Sequence, residues 1–304
     1  MYMIKKIKDI VLLIIPPIII ILRDKYLNLK KASESEAILS TLDNIKKTND
    51  KLIVIGNGPS LNDSLKIQKN DILKFDSIVV NQFCRSDYYC ELKPKYYLIA
   101  DPAYFCTIDA LSNRLKDVVC GFIEAIVSKT TWDINLIVPS YAEGSDFLKA
   151  MQENSFIHIY FYNTNNVVCP HSSQEKHEAW HKNLIAPPAQ TCLNTCVWLG
   201  IYLRYKNVYL IGADTNWIEQ LHVDQETNEV YTIDSHFYGD KKVTLYADDK
   251  GTIPQKLHDE LNCISTALVQ YWELKYYADY AGVKVYNASK YSLIDAYERK
   301  KEID

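Results

Sequence analysis

The stretch Lys51-Leu52-Ile53-Val54-Ile55-Gly56-Asn57-Gly58-Pro59-Ser60 decides how the chain is to be read. Leu52 to Ile55 are apolar without alternation, the pattern of a strand covered by helices on both faces. The run ends in two glycines set one residue apart, then Pro59 and Ser60. Glycines at such a position tolerate positive φ and let backbone amides approach a phosphate closely. The full GxGxxG dinucleotide fingerprint is absent, because Gly58 is followed by Pro59, Ser60 and Leu61. A plain strand-to-loop turn and a phosphate-binding loop both stay open here.

Working outward, similar runs recur at Ser77–Asn81, Tyr96–Asp101, Asn135–Pro139, Phe156–Tyr162, Asn207–Gly212 and Val283–Asn287. Helical spacing separates them: Leu193, Val197, Gly200 and Leu203 share a face of a helix over about 191–204. Leu257, Leu261, Ile264, Leu268, Tyr271 and Leu274 do the same over about 255–280. Strands alternating with helices predict an α/β fold with a doubly wound, mostly parallel, Rossmann-like sheet. Residues 215–254 break the pattern, being polar and rich in Asp, His and Gly. A segment of that length inside a compact domain reads as a functional lid subdomain. It follows a strand end, where open α/β sheets bind ligands.

Upstream, Lys5, Lys6 and Lys8 precede an apolar run from Ile10 to Leu22 that Arg23 closes. A helix over that run would rise about 20 Å, short of the roughly 30 Å hydrocarbon core. Pro16-Pro17 would also break it. Residues 1–27 are therefore read as a segment associating with the membrane surface, its basic flank on anionic headgroups. Residues 28–50, with a weak stripe of Ile38, Leu39, Leu42 and Ile45, read as a linker helix, and 51–304 as the ligand-binding α/β domain.

The 304 residues suit one large α/β domain, and 48% apolar with 24% charged residues is ordinary globular composition. A net charge of −4 without clustered Lys and Arg argues against a nucleic-acid partner. The 23 tyrosines offer both ring and hydroxyl, as sugar and nucleotide pockets use, although most are expected in the core. The eight cysteines (Cys84, Cys90, Cys106, Cys120, Cys169, Cys192, Cys196 and Cys263) form no CxxC pair or repeated spacing. Several sit inside apolar runs, as Cys120 and Cys169 do, and the cysteines are read as small buried hydrophobes in a reducing compartment.

Several short motifs could carry chemistry. Asn81-Gln82-Phe83 follows the second strand, where ribose or base is commonly read, and its two amides could pair with a pyrimidine edge or sugar hydroxyls. Asp101-Pro102 ends the third strand, and either feature could equally be a strand-closing turn. Asp234-Ser235-His236-Phe237-Tyr238-Gly239 puts a histidine, the readiest general base at neutral pH, into the lid. His177-Glu178-Ala179-Trp180-His181 matches HExxH, but Pro187-Pro188 ends any helix within two turns and no third zinc ligand is evident. No Asp-x-Asp occurs, so a transferase of this sequence is expected to work without a metal ion.

Taken in order, Gly56–Ser60, Asn81–Phe83, Asp101-Pro102, Tyr205–Asp214 and Asp234–Gly239 resemble the motifs of the bacterial family-42 sialyltransferases, from about Lys51 to Ile294. The resemblance implies a metal-independent, inverting glycosyltransferase with no cofactor beyond a nucleotide-sugar donor that is CMP-linked. It implies donor contacts from Gly56, Asn57, Gly58, Ser60, Asn81, Gln82, Asp101, Thr191, Asp214, Asn216 and Tyr238, with His236 as the catalytic base. The acceptor would be a glycan or lipid-linked oligosaccharide in surface polysaccharide or lipopolysaccharide biosynthesis. That places the chain in the cytoplasm, peripheral on the inner face of the bacterial inner membrane, with a homo-oligomer left open.

The chain departs from the family in having Asp101 for an Asn, Asn216-Trp217 where a lid tyrosine is usual, and Pro188-Ala189-Gln190-Thr191 without an arginine. A carboxylate at 101 would repel a sialic acid carboxylate. A neutral sugar, another nucleotide sugar, or a pterin diphosphokinase-like nucleotide enzyme therefore remain alternatives.

Overall fold

The computed structural model describes residues 41–303 except 165–169, 171, 188, 237, 238, 249 and 250, together with residues 19, 22, 23 and 26; residues 234–236 and 239–241 are described by their backbone alone. In chain order the strands and α-helices are β1 (Lys51–Ile55), α1 (Leu61–Ile72), β2 (Asp76–Val80), α2 (Tyr88–Leu92), β3 (Tyr96–Leu98), α3 (Asn113–Lys129), β4 (Ile134–Pro139), α4 (Asp146–Met151), β5 (Ile157–Tyr162), α5 (Ser173–His181), α6 (Cys192–Tyr202) and β6 (Asn207–Ile211). They continue with α7 (Trp217–Gln220), β7 (Leu221–Val223), β8 (Val230–His236), β9 (Gly239–Thr244), α8 (Leu257–Ala281), β10 (Lys284–Asn287) and β11 (Glu298–Arg299).

Eight strands form one sheet in the order β11-β10-β6-β1-β2-β3-β4-β5. Each neighbouring pair is parallel. The apolar runs explain this directly. Leu52, Val54, Ile78, Val80 and Leu210 pack into a core on one face with Trp180, Trp198 and Tyr271 from α5, α6 and α8. Ile53, Ile55, Val79, Tyr97 and Ile211 pack on the other face with Phe122 and Ile126 of α3. Each fully buried aliphatic side chain contributes roughly 1.5–3 kcal/mol by leaving water, and alternate residues of one strand feed opposite layers.

From β1 the chain winds outward to β5, then returns to lay β6 on the other side of β1. The strand order reverses between β1 and β6, and the crevice beyond their carboxyl ends is the switch point of the sheet. Residues 215–254, expected as a polar lid, contain α7 and a separate antiparallel sheet β7-β8-β9, with Leu221 opposite Thr232 and Thr232 opposite Val243.

The approach to β1 is docked. Leu42 is fully buried in the core, Tyr202 donates to Asp43 (2.7 Å), and Lys47 Nζ donates to the Arg204 carbonyl (2.7 Å). Among the described residues no helix is long and apolar enough to cross a membrane. The membrane-associating segment expected over 1–27 lies outside the described residues, save for four scattered positions.

The cysteine expectation needs correcting. Cys84 and Cys196 are buried, but Cys90, Cys106 and Cys120 are exposed. Cys120 faces outward because α3 buries Val119, Phe122 and Ile126 instead. Cys169 lies outside the described residues.

Candidate functional site

The two loops at the switch point press together. Gly56 N donates to Ile211 O and Gly58 N to Gly212 O, each at 2.8 Å. A Cβ on Gly56 would stand 2.4 Å from Gly212 O, and one on Gly58 would stand 2.4 Å from Asp214 Cγ. Gly212 itself needs its positive φ of 60° and could carry no side chain against Gly56 O. The close approach these glycines permit is therefore between β1 and β6, and the amides of Gly56, Gly58 and Ser60 are engaged by protein acceptors.

Asp214 is the centre of that junction. Its carboxylate accepts from Ser60 N (3.0 Å) and Ser60 Oγ (2.5 Å), and it is 4% exposed. Burial raises its pKa above the ordinary carboxylate value, while the two Ser60 donors act in the opposite sense. A buried carboxylate with a raised folded-state pKa contributes nothing unfavourable in acid and costs stability once it ionises. Ser60→Ala removes one of the donors that offset this cost. We expect the variant to lose about 1.5–3 kcal/mol at pH 7, read as a lower urea midpoint at unchanged slope. The deficit should shrink toward pH 4, as the carboxyl takes up its proton.

Two connected cavities open from this junction. The narrow one, about 110 Å³, is bounded by Asn57, Gly58, Asn81, Thr191, Asp214 and Asn216, with Thr215 and Trp217. The wider one, about 460 Å³, shares Asn81, Thr191, Cys192 and Trp217 and continues past Asp101, Glu260 and Cys263. Asn81 and Thr215 both have left-handed backbone, with φ of 51° and 50°. For a β-branched residue such as Thr215 that conformation is strained, by on the order of 1–3 kcal/mol, and strain of this kind concentrates at functional clefts. Thr191 caps α6, its Oγ1 accepting from Asn194 N. The Cys192 thiol, raised to about 11 by burial, donates to Asn81 Oδ1 (3.3 Å).

Seven residues singled out from sequence, Asn57, Gly58, Asn81, Asp101, Thr191, Asp214 and Asn216, thus border one cleft. Ser60 joins through its bonds to Asp214. Gly56 sits behind them against the β6 loop. Gln82 does not join, contrary to the expectation from its neighbour. The chain turns into a 3-10 helix at Asn81–Arg85, which swings the Gln82 amide away to the Tyr104 hydroxyl (2.5 Å) and the Val118 carbonyl (3.3 Å). The backbone of His236 ends β8 opposite Gly239, but its side chain and the whole of Tyr238 lie outside the described residues. Cleft residues the sequence did not mark include Cys192, Thr215, Trp217, Glu260 and Cys263. The first three adjoin marked positions; Glu260 and Cys263 come from the first turns of α8, where nothing local sets them apart from other helix residues.

Among the described residues no three His, Cys, Asp or Glu side chains are grouped to hold a metal ion. The HExxH histidines pack on α8: His177 stacks beside Trp180 and Tyr277, and His181 Nδ1 lies 3.3 Å from the Tyr277 hydroxyl. The other ring nitrogen of His181 faces Arg204 Nη2 at 3.3 Å. Burial lowers the pKa of both imidazoles.

No protein-family model and no curated protein matches the chain. Among solved structures, it is similar to the MAf glycosyltransferase from Magnetospirillum magneticum AMB-1, at 12% identity and a TM-score of 0.45. That alignment covers 88% of this chain and 38% of the other, so this chain corresponds to well under half of that protein. It is also similar to the monofunctional alpha-2,3-sialyltransferase Cst-I from Campylobacter jejuni, at 17% identity and a TM-score of 0.44, covering 84% and 81% of the two chains. An alpha-2,3-sialyltransferase from Campylobacter jejuni in apo form aligns at 16% identity and a TM-score of 0.40, covering 84% and 80%.

Proposed function

We propose that the chain is a glycosyltransferase that takes its sugar from a CMP-linked donor, works without a metal ion and inverts the anomeric centre. The observation that carries this reading is the convergence of Asn57, Gly58, Asn81, Asp101, Thr191, Asp214 and Asn216 on one cleft at the switch point. Asn57, Gly58, Asn81 and Asp214 come from separate motifs, in the order in which the family-42 sialyltransferases carry theirs; Asp101, Thr191 and Asn216 stand where the chain departs from that family. In this reading the nucleotide occupies the narrow end between the β1 loop and Asn81, and the donor sugar occupies the wider compartment beside Asp101.

The acceptor hydroxyl attacks the anomeric carbon as its bond to the phosphate breaks. The hydroxyl proton passes to His236, and CMP leaves with the bonding electron pair. The leaving phosphate needs donors other than the amides of Gly56, Gly58 and Ser60, which are already engaged. The Asn81 amide borders the cleft and suits that task; the Thr191 hydroxyl and the Asn57 amide, which donate to Asn194 Oδ1 (3.3 Å) and Val80 O (3.2 Å), would serve by exchanging those partners. The acceptor is a glycan or lipid-linked oligosaccharide of the cell surface, met at the membrane through residues 1–27.

The test is thermal unfolding of the protein with CMP, UDP, GDP or ATP, each with and without magnesium. A ligand that binds only the folded state stabilises it by about 2.7 kcal/mol at a hundredfold excess over Kd. CMP alone is expected to raise the melting temperature. A response to UDP or GDP in its place would keep a transferase with a different donor. A magnesium-dependent response to ATP, or silence from all four, would overturn the reading. His236→Ala is expected to cut transfer by about 10²–10⁴-fold while leaving the CMP response intact; unimpaired transfer would remove the base.

A further inference from the structure

Beyond Asp101 the cleft continues into a third cavity, of about 560 Å³, that the donor reading does not use. One wall is the first turn of α3, with Ser112 and Arg114; the other is β9 and the loop after it, with Lys242, Tyr246 and Asp248. Among the described residues the 460 Å³ cavity is bordered by Asp101 and Glu260 and by no Lys or Arg, whereas the 560 Å³ cavity has Arg114 and Lys242 beside Asp101 and Asp248.

Among the described residues Arg114 makes no ion pair or hydrogen bond and Lys242 makes no ion pair, but Lys242 rests over the Tyr231 ring at 4.0 Å from its centroid and its charge helps to lower the Asp224 pKa. The two carboxylates nearby have other partners. Asp248 accepts from Thr252 N (2.8 Å), Ile253 N (2.6 Å) and the Thr252 hydroxyl (2.7 Å), and Asp101 Oδ1 accepts from Ala103 N (2.9 Å). The first turn of α3 carries no acidic residue, so the positive end of a 17-residue helix adds to the same field. The exposed Tyr246 ring offers an apolar face with a polar edge beside these charges, as a pyranose ring would use.

We infer that this cavity is the acceptor subsite and that it selects a glycan bearing an acidic group, a carboxylate or a phosphate, through Arg114 and Lys242. A guanidinium presents a planar pair of donors to such a group, and an ammonium adds a point charge from the opposite wall. The inference rests on the proposed transferase reading, since it places the nucleotide at Asn57 and the transferred sugar beside Asp101, leaving this end for the acceptor. An acidic sugar could also arrive on the donor, and the test separates the two sources.

The test measures binding of the full chain, saturated with CMP, to lactose, to 3′-sialyllactose and to panels of glycans ending in a uronic acid or a sugar phosphate. Wild-type protein is expected to bind at least one acidic glycan tenfold or more tightly than its neutral counterpart, with affinity falling as salt is raised. Arg114→Gln and Lys242→Gln should each reduce that preference severalfold, and together abolish it, with melting temperature and the CMP response unchanged. Equal binding of neutral and acidic glycans, no binding of any acidic glycan, or retention of the preference by the double variant would overturn the inference.

A double variant that instead binds CMP-sialic acid less tightly, while binding CMP normally, would place the acidic group on the donor and overturn the acceptor assignment. Should nucleotides fail to stabilise the protein while acidic glycans still bind through Arg114, the transferase reading falls and the acidic-glycan site stands. Nucleotide binding without acidic-glycan binding gives the reverse.

Discussion

Gly56→Ala is expected to lose at least about 3 kcal/mol of stability, with a fall in melting temperature on the order of 10 °C and no remaining response to nucleotide. The cause is geometric. The new methyl would stand 2.4 Å from Gly212 O, a backbone atom that cannot rotate aside. Relief requires the β1 and β6 loops to separate, which breaks the 2.8 Å bonds from Gly56 N to Ile211 O and from Gly58 N to Gly212 O. Those loops hold Asn57, Gly58 and Asp214 at the cleft, so one displacement affects stability and binding together. Gly58→Ala meets chiefly the Asp214 side chain and should be milder in stability, but it should displace the carboxylate from Ser60. A Gly56→Ala protein that melts within 2 °C or so of the parent would show the junction to be compliant and this account mistaken.

The second large effect belongs at the opposite end of the sheet. Asp76, 4% exposed at the start of β2, accepts from Thr48 N (2.9 Å), the Thr48 hydroxyl and the Tyr205 hydroxyl (2.5 Å), and pairs with Lys95 Nζ at 3.3 Å. Tyr96 completes the network through the Tyr205 hydroxyl at 2.8 Å. Burial depresses the Lys95 pKa, and Asp76 is what opposes that depression. Removing the carboxylate strands the partly buried Lys95 ammonium and takes the charged acceptor from the Tyr205 hydroxyl, which keeps only its bond to Tyr96, so Asp76→Ala should cost about 3–5 kcal/mol. Tyr205→Phe, which deletes one donor to the same carboxylate, should cost about 1.5–3 kcal/mol. Equilibrium unfolding in urea measures both, and near-equal losses would mean that the ion pair adds nothing. Neither residue borders the cleft, so the nucleotide response of whatever protein remains folded should be intact.

The strands are legible where their apolar runs lie: Lys51–Ile55 forms over the run Leu52–Ile55 and Asn207–Ile211 within Asn207–Gly212, both nearly wholly buried, while β5 and β10 are interrupted by the exposed His158 and Lys284. The helices over 192–202 and 257–281 likewise fall where their apolar spacing places them. β11 is two exposed residues, Glu298 and Arg299, held by pairing with β10 and by the Arg299 guanidinium donating to Ser289 O (3.0 Å), and no local pattern marks it. The sheet β7-β8-β9 is not marked because its apolar residues Leu221, Val223, Val230, Ile233 and Val243 are scattered among polar ones, so hydrophobic alternation is weak.

At the site, the chain neighbours Asn81 and Gln82 looked alike, yet a single turn of 3-10 helix sends them in different directions. The glycines of the β1 loop were visible, but not what they accommodate. Their partners Gly212 and Asp214 lie far along the chain, and only the folded sheet brings them near. Arg114 and Lys242 drew no notice for the same reason, each being an ordinary surface cation until the two walls meet.

The central position of β1 also bears on how the protein is made. β1 is synthesised early, but one of its two edges waits for β6, and Ser60 and Asp214 are 154 residues apart. At about 5–20 residues per second a ribosome needs on the order of 10–30 s to span that interval. Throughout it, the nascent chain carries a growing half-sheet whose inner edge is bare and whose apolar faces are partly uncovered, a state prone to pairing with other chains. The junction of the β1 and β6 loops consequently cannot form until Asp214 has been made. A chain released before β6 has emerged would lack that junction and be one for chaperones and proteases to handle.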